Sequence, residues 1–238
     1  MGRGMRRLAL LLCLLPDPLL AGAWPRAPGE TYVLAGHEGG GAGWTGVYAE
    51  RGGPWGLTFG LEAGAEPGAV DEADADARLR GFVRVPVLTR LAVWRVAVEA
   101  GLGADVLTTA DPYMPMILDR RASLGLSVGR PLTTRLGDGW ANVDLSHDRR
   151  IDAPYGPAGP ARRDTLSATV GVRPWPGHAF EMGLHVETRS DGERYAAVGP
   201  TWQRDLGPLG AVRLGVAVTE RGEARLRLGL TRTFGAAR

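Results

Sequence analysis

Twelve stretches of alternating apolar and polar residues, connections that are short and long in turn, and a basic-then-apolar leader predict an all-β chain. The architecture they predict is an up-and-down antiparallel transmembrane β-barrel of about 12 strands, with 10–14 allowed by the boundaries.

The leader comes first. Arg3, Arg6 and Arg7 form a basic region, Leu8 to Leu15 an apolar one, and Ala21-Gly22-Ala23 a small-residue cleavage site. This predicts a signal peptide over 1–23 and one barrel domain over 24–238. A retained anchor is the alternative, but Pro16-Asp17-Pro18 interrupts the apolar run. Cys13, the single Cys, lies inside that run after Leu10-Leu11-Leu12, so it does not mark a lipoprotein. No disulfide and no thiolate metal site is expected in the rest of the chain. Of 28 basic residues, all Arg, and 26 acidic ones, cleavage leaves 25 of each. The sequence pI of 9.0 is therefore partly a leader effect, and a neutral mature chain gives no reason to expect a nucleic-acid partner. No run of 18 uncharged apolar residues is present, so a bundle of transmembrane helices is ruled out.

The strands follow at 31–36, 43–50, 55–65, 76–86, 91–102, 121–129, 139–147, 164–173, 179–189, 194–204, 211–219 and 224–234. Each alternates with period two, as when Leu79, Gly81, Val83 and Val85 stand against Arg78, Arg80, Phe82 and Arg84. Successive strand side chains point to opposite faces, so each strand carries one apolar and one polar face. Connections after strands two, four, eight and ten are short (Glu50–Pro54, Val87–Arg90, Pro174–His178, Asp205–Gly210), and the one after strand six is of medium length. Long ones follow strands three, five and seven: Glu66–Ala75, Gly103–Arg120 and Asp148–Arg163. Short turns at one end and longer loops at the other are the pattern of a membrane barrel with both termini on the periplasmic side.

Alternation does not say which face is inside. Strands of about ten residues match a tilted crossing of a bilayer. A polar face of Gly, Thr, Ser and Arg suits a lumen. Trp55, Phe180, Trp202 and Phe234 sit on the apolar parity near predicted periplasmic ends, as an interfacial aromatic girdle would. The alternative places these aromatics in the core of a secreted β-sandwich.

The leader, the strand pattern and the final strand Ala224–Phe234 resemble a bacterial outer-membrane β-barrel of Gram-negative type. The last strand is similar to the family's C-terminal assembly signal, although here Gly235 to Arg238 follow the terminal Phe. The resemblance implies the outer membrane as location. It also implies outer-membrane lipid and lipopolysaccharide, periplasmic chaperones and the barrel-assembly machinery as partners.

The polar parity carries Arg78, Arg80, Arg84, Arg95, Arg121, Arg173, Arg189, Arg213, Arg225 and Arg227. It also carries Glu62, Glu99, Asp144, Glu181 and Glu187. An excess of Arg in a pore selects for anions, which predicts a narrow, porin-like channel for anionic solutes such as acidic oligosaccharides. The alternative is a closed structural or accessory barrel, serving polysaccharide export or secretion, whose Arg and Glu pair across a filled interior.

No enzyme is expected. Asp144, Ser146, His147 and Asp148 cluster, but Ser146 and His147 are adjacent and point to opposite faces, so they cannot form the pair a lipid hydrolase needs. His37, His178 and His185 have no metal-ligand spacing, and no cofactor is implied. Gly36–Gly43 reads as an external turn. The acidic stretch Glu66–Asp76 reads as a solvated loop, with a divalent-cation site as the alternative. The Pro-containing loop Asp148–Arg163 reads as irregular and able to fold over the mouth. Asp111–Met116 reads as a plug, a partner contact or an extension of the strands.

Overall fold

The computed structural model describes residues 22–39, 43–66, 77–88, 93–108, 116–152 and 161–235. Most of the leader, the Gly run at 40–42, the acidic stretch at 67–76, the segments 89–92 and 109–115, the Pro-rich 153–160 and the tail 236–238 lie outside these residues.

Twelve strands run in order. They are β1 Thr31–Gly39, β2 Trp44–Gly52, β3 Thr58–Ala65, β4 Ala77–Leu88, β5 Arg95–Thr108 and β6 Met116–Thr134. The second half is β7 Gly137–Asp152, β8 Arg162–Trp175, β9 His178–Arg189, β10 Arg194–Asp205, β11 Ala211–Thr219 and β12 Ala224–Phe234. Each strand pairs antiparallel with its chain neighbours, and β1 closes on β12 from Thr31↔Phe234 to Gly39↔Leu226. Closure leaves no sheet edge, which is what allows strands to cross lipid.

The apolar parity points outward. Leu61, Leu79, Leu102, Leu124, Met182 and Leu230 are all exposed, whereas the buried apolar residues are few and mostly Ala. A soluble barrel would bury these side chains. A contiguous apolar outer wall is instead the surface that a bilayer covers.

Three expectations require correction. Gly103–Arg120 and Asp148–Arg163 are not loop from end to end, because β5 and β7 run on to 108 and 152 and β6 and β8 begin at 116 and 162, with a bulge between β6 and β7 at Arg120/Arg121. The prolonged strands are held by inward ion pairs at Asp105 and Asp119. The connection after strand six is a two-residue turn at Arg135–Leu136. There the Thr134 hydroxyl accepts the Leu136 N–H at 3.1 Å and donates to the Gly137 carbonyl at 2.8 Å. Finally, Trp55 does not begin a strand. It sits in the 3-10 turn Pro54–Gly56 with φ of 57°, fully outside the wall, and β3 starts at Thr58.

Phe180 and Phe234 are exposed on the outer wall at the tight-turn end. Trp202 lies half-buried opposite Phe180 and donates its indole N–H to His178 Nδ1 at 3.1 Å. Trp175 completes this belt, with its ring centroid 5.7 Å from that of Phe180.

Candidate functional site: the barrel lumen

Every lumen candidate read from the sequence faces inward, but most are ion-paired. On one wall, Arg84 of β4 donates to Glu50 of β2 at 2.5 Å and to Glu99 of β5 at 2.7 Å. Arg80 pairs with the same Glu99, lies 3.6 Å from Glu62, and donates to Ser123 at 3.0 Å. Both guanidinium groups lie just over 5 Å from the centre of the Phe82 ring, which stacks on Tyr48 at 5.8 Å. Phe82 fits there because Gly60 stands opposite; a side chain at Gly60 would overlap the Phe82 ring.

The facing wall carries Arg213 paired with Glu181, and Arg227 donating to Glu38 at 2.6 Å. Arg225 lies over Tyr195 at 5.4 Å and pairs with Glu223 at 3.4 Å. Between the two walls lies a cavity of about 570 Å³, lined by Arg80, Arg84, Glu99, Asp144, Arg213 and Arg227 among others.

Toward the long-loop end, Asp105 accepts from Arg78 at 3.0 Å and from Arg163 at 3.3 Å and forms an ion pair with Arg121 at 2.9 Å. Arg163 comes from β8, three strands from β5, so this contact reaches across the interior. The same Arg163 lies 3.2 Å from Glu187, which Arg189 also holds. Asp119 takes Arg121 and Arg150. Toward the tight-turn end, Arg173 stacks over Trp140 at 4.8 Å, and its Nη2 has no hydrogen-bond partner among the described residues. Arg95 lies half-buried on the inner face of β5. Asp144 accepts from Ser127 at 2.6 Å and from Asn142, and has no Arg partner among the described residues.

The sequence reading missed the inner carboxylates Glu30, Glu38, Glu50, Asp105, Asp119 and Asp148. It also missed Arg26, Arg150 and Arg163. Counting these, the excess of Arg over carboxylates on the inner face is smaller than the sequence parity gave. Parity within the strands could have found Glu38 and Glu50, which lie at or just past the predicted strand ends.

The largest miss is the segment 22–30, which turns back inside the barrel at the tight-turn end. Ala23 and Arg26 are buried, and Trp24 packs against Trp140 and Ala179. Arg26 donates to Glu50 at 2.6 Å and lies 4.3 Å over the Tyr32 ring, while its backbone N–H reaches Thr58 Oγ1 at 3.2 Å. Two glycines make room for the segment. A Cβ at Gly129 would overlap the Trp24 ring, and one at Gly52 would overlap the Ala27 carbonyl.

Ser146 faces the lumen and His147 the outside, so they do not meet. Ser167 and His185, opposite each other on β8 and β9, do meet in the lumen at 3.0 Å. The next inward residue on β9, Glu187, is already held by Arg163 and Arg189, so it is not free to orient the imidazole. Among the described residues, no group of three His, Cys, Asp or Glu is placed to hold a metal ion.

No protein-family model and no curated sequence matches the chain. Solved structures do. The KdgM porin superposes with a TM-score of 0.60 at 9% identity, covering 85% of this chain and 99% of that one. The chain has the porin-type barrel fold. The NanC porin is similar, with a TM-score of 0.58 at 11% identity over 84% of this chain and 98% of that one. A second KdgM structure, in complex with disordered oligogalacturonate, gives 0.57 at 10% identity over 85% and 99%. At these identities the likeness establishes the architecture.

Proposed function

We propose that the protein is an outer-membrane channel for anionic solutes, with acidic oligosaccharides as the solute class. The observation that carries this reading is the pair of facing Arg walls, Arg80 and Arg84 against Arg213 and Arg227, around one cavity. A guanidinium has five N–H donors, and Arg213 and Arg227, each donating to one carboxylate, keep several for a passing anion, while Arg84 is held by Glu50, Glu99 and Tyr48. Carboxylates spaced along an acidic oligosaccharide can replace the wall carboxylates one pair at a time, so no cation is ever left bare. The fold shared with a porin whose structure holds oligogalacturonate is consistent with this class. The leader and the apolar outer wall support insertion in the outer membrane, with the tight-turn end toward the periplasm.

A second reading, a closed accessory barrel, draws on the cross-lumen contact between Arg163 and Asp105 and on the inserted segment 22–30. Planar-bilayer recording separates the two. A channel gives discrete openings, a reversal potential favouring anions, and current block by oligogalacturonate. A protein that inserts, shows heat-modifiable mobility and never conducts is the closed barrel.

A further inference from the structure

The outer wall is not uniformly apolar. At its long-loop border, Arg149 of β7 stands directly opposite Arg162 of β8, and both point outward and are exposed. Like charges directly opposite on a sheet destabilise it. Compensation among the described residues is small. Asp164 lies 3.1 Å from Arg162 but also holds His147 at 2.6 Å, and Arg149 has no carboxylate partner. Arg194, two strands along, is exposed at the same level, since Arg194 pairs with Thr188 and Thr188 with Asp164.

Directly beneath this cluster, toward the bilayer, the wall is grooved. An open groove of about 490 Å³ is lined by Leu124, Leu145, Leu166 and Val186, with His147 and Asp164 at its polar rim. An apolar groove bordered by three exposed Arg against the single carboxylate of Asp164 keeps a net positive rim, which is complementary to an amphiphile with a phosphorylated head and acyl chains.

We infer that Arg149, Arg162 and the groove below them form a binding site for the phosphorylated glycolipid of the outer leaflet, lipid A. The inference rests on the proposed insertion, which puts the long-loop end, and so this site, in that leaflet. Chains lie against Leu124, Leu145 and Leu166. A head phosphate sits between Arg149 and Arg162 and turns their repulsion into two charge-assisted contacts, for which the planar Arg fork is suited.

The test uses the full chain refolded in detergent micelles, with lipid retention read by native mass spectrometry. Bisphosphorylated lipid A should stay bound. Retention should fall at least tenfold in the double variant Arg149→Gln/Arg162→Gln, and equally for dephosphorylated lipid A on the parent. Both residues are exposed, so the variant should keep its heat-modifiable mobility. Leu145→Ala/Leu166→Ala, which opens the groove and keeps both Arg, should weaken retention as well. Equal retention of lipid A by the Arg variant, or of the dephosphorylated lipid by the parent, overturns the site. Equal retention of phosphatidylglycerol overturns the choice of lipid. A protein that does not enter vesicles at all removes the proposed insertion itself, whereas one that inserts, conducts and retains no lipid removes only this site.

Discussion

Replacing Glu50 by Gln tests the strongest claim about the lumen, that its charges are knotted together and shielded from water. The Glu50 side chain is fully buried and accepts from Arg26 at 2.6 Å, from Arg84 at 2.5 Å and from the Tyr48 hydroxyl at 2.5 Å. Glutamine keeps the shape and removes the charge. Breaking a buried ion pair from one side costs about 3–5 kcal/mol, because the other charge stays behind. Arg84 retains Glu99 at 2.7 Å, and Arg26 retains Glu30 at 3.4 Å, so the lower end applies. About 3 kcal/mol corresponds to a folding equilibrium shifted roughly 150-fold. The assay is urea unfolding from lipid vesicles, followed by heat-modifiable mobility. Removing Arg26 in the same chain should recover part of the loss, with a coupling of about 1–2 kcal/mol in the double-mutant cycle. A loss below about 1 kcal/mol, with no coupling, would mean that water reaches Glu50 freely and that the knot does not fasten the segment 22–30.

Other outcomes follow from the same structure. Arg at outward Val170 or Leu184 should cost about 2–4 kcal/mol of vesicle-folded stability, and Arg at inward Gly183 much less, since the nearest atom to a Cβ there is 3.9 Å away; equal costs on both faces would reverse the assignment. Replacing Arg80, Arg84 and Arg227 together with Gln takes the Arg partners from Glu38 and Glu99, so the reversal potential should move toward cations; an unchanged value would show that solutes do not pass these residues. Gly129→Leu should expel Trp24 from the lumen and raise single-channel conductance, as should deletion of residues 24–29; conductance equal to the parent's in both would place the segment outside the conduction path.

The barrel was legible because lipid imposes period two wherever it touches a strand. That rule stops at the bilayer border, and so did the reading. Across Asp119-Arg120-Arg121 both faces are polar, and alternation vanishes although β6 continues. The inward parity of Arg80, Arg84 and Arg227 needed only the local pattern. Their pairing needed the register between strands, which sets Arg84 opposite Glu99 and Glu62 opposite Arg80. No local pattern marks residues 22–30 at all. Their signal lies in glycines about 25 and 100 residues away, at Gly52 and Gly129, which mean nothing until the segment is seen against them.

That segment also orders the events of assembly. Its anchors are divided between Glu50 and Thr58, on β2 and β3, and Trp140 and Ala179, on β7 and β9. No open, partly formed sheet holds these anchors around a common space. They come to surround one only when β1 zips onto β12 and the sheet becomes a tube. Arg26 finds Glu50 and Thr58 on the neighbouring strands β2 and β3, but Trp24 gains Trp140 and Ala179 only across the closed tube, so the docking of Trp24 should follow closure.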